Sequence, residues 1–138
     1  MNPAEYGMVI RRGYRLWTEG TDNGASLGIK TLIPYTGDTD DGVEDRLFAV
    51  TNEGIWDVTQ KDIAPTLKLA FSTTSSGAGY GVYTRYTTDA ELDIVFYADR
   101  LNGLFDYDPS TDTWTATVGL TGLDPTLVNY VSVHKQRI

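Results

Sequence analysis

Two segments of this chain carry the same pattern about one multi-stranded unit apart, and that repeat constrains the fold more than any other feature. Residues 47–58 read Leu-Phe-Ala-Val-Thr-Asn-Glu-Gly-Ile-Trp-Asp-Val, and residues 95–107 read Val-Phe-Tyr-Ala-Asp-Arg-Leu-Asn-Gly-Leu-Phe-Asp-Tyr. In each, an apolar strand reaches a polar turn, followed by glycine, an aliphatic residue, an aromatic residue and aspartate. Gly54 and Gly103 are 49 residues apart, and Phe48 and Phe96 are 48 apart. A period of roughly 40–50 residues with several strands per unit is the signature of β-propeller blades.

The rest of the chain agrees with an all-β reading. No stretch places apolar residues at helical spacing over three turns, and β-branched and aromatic residues come in short runs between turn signals. Strands are expected over 8–18, 28–35, 47–50, 55–59 and 67–72, with Leu67, Leu69 and Phe71 sharing a face. Pro34 puts its strand at an end or on an edge. Leu47 to Val50 is continuously apolar, as in a strand covered on both faces. After the Thr74–Gly79 loop, strands follow over 80–87, 92–98, 104–107 and 113–117. Gly119 to Thr126 reads as a loop, and Leu127 to Ile138 as the start of a further strand.

The expected fold class is therefore all-β, with antiparallel four-stranded blade repeats forming a partial β-propeller. Residues 1–138 form one domain of about two blades, roughly 8–73 and 80–118, with the start of a third at 127–138. The open run at the end reads as an excerpt of a longer repeat protein. One blade cannot bury both faces alone, so blades stack face to face. Trp56, Phe105 and Trp114 are the expected aromatic contacts between them.

Charge and composition exclude several functions. Eleven basic residues against nineteen acidic ones give a net charge of −8, which disfavours nonspecific binding to nucleic acid or anionic membrane. No apolar run approaches the ~18 residues of a transmembrane helix, and the N-terminus lacks the basic flank and apolar run of a signal peptide. With no cysteine there is no disulfide framework, which leans towards an intracellular or virion setting.

Candidate sites reduce to few. Asp38, Asp40 and Asp41 precede Gly42, but Gly42 stands where an EF-hand needs its third ligand, and Ala49 where it needs its twelfth-position glutamate. They read as a solvated acidic loop. His134 is the single histidine, so neither a multi-histidine metal site nor a serine triad is expected. Ser76-Gly77-Ala78-Gly79 lacks the lysine of a P-loop. No catalytic, cofactor-binding or metal residues are assigned, and no enzyme activity is expected. Asp106 to Trp114 reads as a tight hairpin that resembles the corresponding hairpin of kelch repeats, although the kelch Gly-Gly pair is missing from both units. Arg11, Arg12 and Arg15, with Trp17 close by, form the one basic cluster. It suits a charged edge strand or contacts with an acidic partner in an assembly.

Arg12-Gly13-Tyr14 ahead of Trp17, Asp45 to Val50, Gly54 to Thr59, and Val128 to Val131 before His134-Lys135-Gln136-Arg137-Ile138 follow a known order of motifs. The chain resembles the N-terminal part of tail-nozzle or tail-stabilisation structural proteins of short-tailed bacteriophages and prophages. The resemblance implies a non-catalytic virion protein, made in the bacterial host cytoplasm. It would join a homo-oligomeric ring, contact other phage tail and neck proteins, and stabilise the packaged particle. An acidic surface would let DNA slide through such a conduit. Two rivals stand beside this reading. One is a carbohydrate-binding or glycan-cleaving propeller that recognises a receptor; the other is a protein-interaction propeller of cellular origin.

Overall fold

The computed structural model of the protein describes residues 17–18, 28–37, 44–88, 93–118 and 120–133. The fold is all-β. Two antiparallel four-stranded sheets follow one another along the chain, each a simple meander. The first contains β1 (Thr31–Tyr35), β2 (Arg46–Val50), β3 (Gly54–Asp57) and β4 (Thr66–Ala70). The second contains β5 (Gly81–Thr87), β6 (Asp93–Asp99), β7 (Gly103–Asp108) and β8 (Thr113–Ala116).

The central strands β2 and β6 explain the continuous apolar runs. Phe48 and Val50 point to one face of the first sheet, and Leu47 and Ala49 to the other; both faces are covered. In β6, Val95 and Tyr97 enter the core between the sheets, while Phe96 and Ala98 pack on the far side. Pro34 lies in β1, the edge of its sheet, opposite Leu47, where its missing N–H leaves no interior ladder bond unmade.

The main core lies between the sheets and is rich in aromatic residues. Phe48 meets Tyr107 edge-on at 4.8 Å and Trp114 at 5.3 Å. Tyr35 meets Tyr107 at 5.3 Å, and Phe71 stacks on Phe105 at 5.5 Å. Each such pair contributes ~0.5–1.5 kcal/mol beyond its buried area.

The two repeated patterns are equivalent in cross-strand register as well as in sequence. Phe48 lies opposite Asp57 and Phe96 opposite Asp106; Ala49 lies opposite Trp56 and Tyr97 opposite Phe105. Yet equivalent residues do not face each other. Phe48, Val50 and Ile55 face the second sheet, whereas their equivalents Phe96, Ala98 and Leu104 face away from the first, towards residues 120–133. We call the face bearing Phe48 or Phe96 the leading face, and the opposite one the trailing face. The leading face of the first sheet packs on the trailing face of the second. This is a head-to-tail arrangement, in which a leading face packs on a trailing face and not on another leading face.

This geometry corrects three expectations. Phe105 and Trp114 do join the sheets, but Trp56 does not. Neighbouring strand residues alternate faces, so with Ile55 turned towards the second sheet, Trp56 packs with Ala49 and Val58 on the trailing face. Leu67, Leu69 and Phe71 do not share one environment. A register shift between Ile55 and Trp56 on the β3–β4 ladder leaves Leu67 half-exposed opposite Trp56, while Leu69 and Phe71 join the main core. Residues 127–133 form no strand. Asp124 accepts hydrogen bonds from the Thr126 amide (3.0 Å) and hydroxyl (2.7 Å), capping a 3-10 turn at Pro125–Leu127. The apolar residues that follow satisfy themselves by lying on the sheet's face, since Val131 is buried against Ala98 and Leu104 with Val128 beside it. The early strand expected at 8–18 falls outside the described residues except for Trp17 and Thr18, which are not in a strand; residues 134–138 also lie outside them.

The repeat glycines mark close backbone approaches. A Cβ on Gly54 would stand 2.0 Å from the Leu69 carbonyl oxygen. Gly103 has φ +88°, and a Cβ there would lie 2.7 Å from the Pro125 carbonyl oxygen. One glycine admits the neighbouring strand and the other admits the segment that covers the leading face.

Candidate interaction surfaces

Polar side chains fasten the two sheets at their edges. Asp112 is the main junction. It sits at the end of the β7–β8 hairpin in the left-handed conformation, φ +51°, which aspartate tolerates better than most side chains. Its carboxylate accepts a hydrogen bond from Lys68 Nζ of the first sheet at 2.6 Å and one from the Tyr107 hydroxyl at 3.0 Å. Arg46 Nε stands 3.5 Å away. Burial alone would push the Asp112 carboxyl up; the Lys68 and Tyr107 hydrogen bonds and the charges of Lys68 and Arg46 outweigh it and hold the group below the usual carboxylate range. Burial, with the Asp112 hydrogen bond second, pushes the Tyr107 phenol above its ordinary value.

A second fastening lies at the turns that follow β2 and β6. Asp99, fully buried, accepts from the Gly79 amide at 2.8 Å and from the Asn102 amide at 2.9 Å. Asn102 then clasps the chain after β4, accepting from the Thr73 amide at 2.9 Å and donating to its carbonyl at 3.1 Å. Thr51 holds the position equivalent to Asp99, and its hydroxyl accepts from the Trp56 indole at 3.1 Å. From β1, the Thr31 hydroxyl donates to the Gly79 carbonyl, in the loop between β4 and β5, at 2.8 Å. None of Asp99, Asn102 and Asp112 stands out in the sequence as a linker; the one available signal is a polar residue ending an apolar strand at the same repeat position as Thr51.

The sequence-assigned contact residues divide. Arg11, Arg12 and Arg15 lie outside the described residues, as do Asp38, Asp40, Asp41 and His134. Trp17 is half-exposed and anchored beside the trailing face of the first sheet. Its indole donates to the Val58 carbonyl at 2.8 Å, and its carbonyl accepts from the Asp62 amide at 2.9 Å.

The two ends of the stack differ. On the leading face of the second sheet, Phe96 and Leu104 line an open apolar pocket of about 370 Å³, with Leu120, Leu123, Val128, Tyr130, Val131 and Ser132 on its other side. Of its lining, Leu123 and Tyr130 are exposed. At the opposite end, Leu32, Ala49, Trp56 and Leu67 follow one another across the first sheet's ladder. The inner pair is buried, whereas Leu32 and Leu67 at the rim are exposed, with Trp17 and Ile63 nearby.

Among the described residues, no group of three or more His, Cys, Asp or Glu side chains is placed to hold a metal ion, and no helix is long and apolar enough to cross a membrane. No protein-family model, curated protein or solved structure matches the chain.

Proposed function

We propose that this chain is a structural subunit of a short-tailed phage or prophage particle, a propeller-type component that joins a ring at the distal end of the tail and stabilises the packaged virion without catalysis. The observation that carries the reading furthest is the head-to-tail stacking of two equivalent sheets. A two-fold sandwich would turn equivalent residues towards each other and end there. A stack in which Phe48 and Phe96 face the same way is instead extensible, as in propeller blades and repeat arrays. The order of motifs from Arg12 to the Val128–Val131 run supplies the phage attribution, and the net charge of −8 suits a channel wall that repels DNA phosphates. Other tail and neck proteins are the proposed neighbours.

Immunogold electron microscopy of particles from cells encoding the protein tests this. Gold confined to the tail tip is the expected result. Unlabelled particles, with the antigen recovered in the soluble fraction, would overturn it.

A further inference from the structure

We propose that Asn102–Gly103, in the turn between β6 and β7, is a self-modifying site guarded by the fold. When the clasp to Thr73 opens, Asn102 converts to aspartate or isoaspartate, and the product no longer closes the clasp as the amide did. The site rests on this chain's own chemistry and is independent of the ring reading.

Glycine after asparagine removes the side chain that would shield the backbone nitrogen, so the Gly103 nitrogen can reach the Asn102 side-chain carbonyl carbon. That nitrogen bonds to the carbon, its proton leaves with the side-chain nitrogen as ammonia, and a five-membered imide closes. Solvent water then opens the ring at either carbonyl. One opening leaves aspartate; the other leaves isoaspartate, with an extra methylene in the backbone. The step consumes water and needs neither an oxidant nor a cofactor. At the repeat-equivalent position Glu53 precedes Gly54, and a glutamate has no amide nitrogen to release.

In the closed structure the amide is held from both ends. Asn102 Oδ1 accepts from the Thr73 amide at 2.9 Å and the Ser72 hydroxyl at 3.3 Å. Its Nδ2 donates to the Thr73 carbonyl at 3.1 Å and to Asp99 Oδ1 at 2.8 Å. A side chain so held does not swing onto its own backbone, so cyclisation waits for release. Release is local. Ser72, Thr73 and Leu101 are exposed, so opening the clasp breaks little apolar contact. Closing again after conversion is a different matter. Asp99 is fully buried, and its other donors are the uncharged backbone amides of Gly79, Leu101 and Asn102. A carboxylate at 102 sets a second negative charge where Nδ2 donated to Asp99 and leaves the Thr73 carbonyl without its donor. An opening that ends in conversion thus detaches the chain after β4 from the β6–β7 turn for good.

Peptide mapping by mass spectrometry tests the first half, with the wild-type chain held at mildly alkaline pH in buffer and in denaturing urea. Conversion at Asn102 is expected in both, at least about tenfold slower in buffer, because the clasp must open first. Equal rates would show that the clasp guards nothing. Conversion in urea with none in buffer would remove Asn102 as a site of the folded chain. Amide exchange at Thr73 tests the second half, comparing the wild type, Asn102→Asp and Asn102→Ser. Asn102→Asp is expected to exchange at least about tenfold faster than the wild type, and faster than Asn102→Ser, which loses the amide without adding charge. Exchange in Asn102→Asp as slow as in the wild type would overturn the loss of the clasp. If Asn102→Asp fails to fold, the converted wild-type chain, separated by ion exchange through its extra negative charge, takes its place in the same comparison.

Discussion

Phe48 and Phe96 occupy the same register position in successive sheets, opposite Asp57 and Asp106 respectively, and both point along the stack in the same direction. Phe48 is fully buried between Tyr107 and Trp114, whereas Phe96 is partly buried beside a cavity. The same residue type in the same local structure thus has two energetic roles, set by what is stacked on it.

Truncating the two phenylalanines should separate those roles. Phe48→Ala is expected to cost ~3–5 kcal/mol, as for a well-packed aromatic core residue. Phe96→Ala should cost about half as much or less, because its surroundings already include empty volume. Urea denaturation measures both; equal losses would contradict the packing described.

Gly103 lies against the backbone of the covering segment. Gly103→Ala adds a Cβ in a left-handed conformation, 2.7 Å from Pro125 oxygen and 2.8 Å from Thr126 Cα. The expected result is ~1–3 kcal/mol of lost stability and faster amide exchange at Leu127 and Val128, whose amides donate within the 3-10 turn. Unchanged exchange at those two amides would mean that residues 120–133 do not rest on β7.

The junction at Asp112 gives stability a defined pH dependence. Its folded pKa lies below the ordinary carboxylate value, so its contribution is present above the unfolded value of ~3.9 and is lost as pH falls through the folded one. Asp112→Asn keeps a side chain that tolerates positive φ and removes the charge. With a carboxylate about one-third exposed, the expected loss at pH 7 is about 1 kcal/mol. The difference between variant and wild type should shrink towards zero below the folded pKa, as followed by thermal denaturation across pH. A difference that persists in strong acid would point to packing instead of charge.

Much of the architecture was legible in the sequence because strands announce themselves through period-two patterning and glycine turns. The runs at Leu47–Val50 and Val95–Ala98 fall within central strands, and Pro34 falls on an edge. The direction of stacking was not legible. Trp56 and Phe105 are equivalent in sequence, and only the assembled sheets show one on an outer face and the other in the core. The β3–β4 bulge that separates Leu67 from Leu69 and Phe71 likewise leaves no mark in an alternating strand. The run after Leu127 reads as a strand because its residues are β-branched and apolar; capping at Asp124 and packing on a sheet face are tertiary outcomes. Of the contact residues assigned from sequence, Trp17 is the one among the described residues, half-exposed at the trailing rim.

Trp17 should also anchor its segment to the first sheet. Trp17→Phe removes the indole bond to Val58 and is expected to cost ~0.5–1.5 kcal/mol, with proteolytic cleavage near residue 18 becoming faster. An unaltered cleavage rate would show that the bond does not hold the segment.

The head-to-tail arrangement itself is tested most directly by two double-mutant cycles read by urea denaturation. Phe48→Leu with Trp114→Leu probes a pair in contact at 5.3 Å across the sheets, and Trp56→Leu with Phe105→Leu probes an equivalent pair placed on different faces of the stack. The first cycle is expected to show a coupling energy of ~0.5–1.5 kcal/mol. The second should be additive within ~0.5 kcal/mol. Coupling between Trp56 and Phe105 with none between Phe48 and Trp114 is the pattern of a two-fold sandwich, and would contradict the stacking on which this account rests.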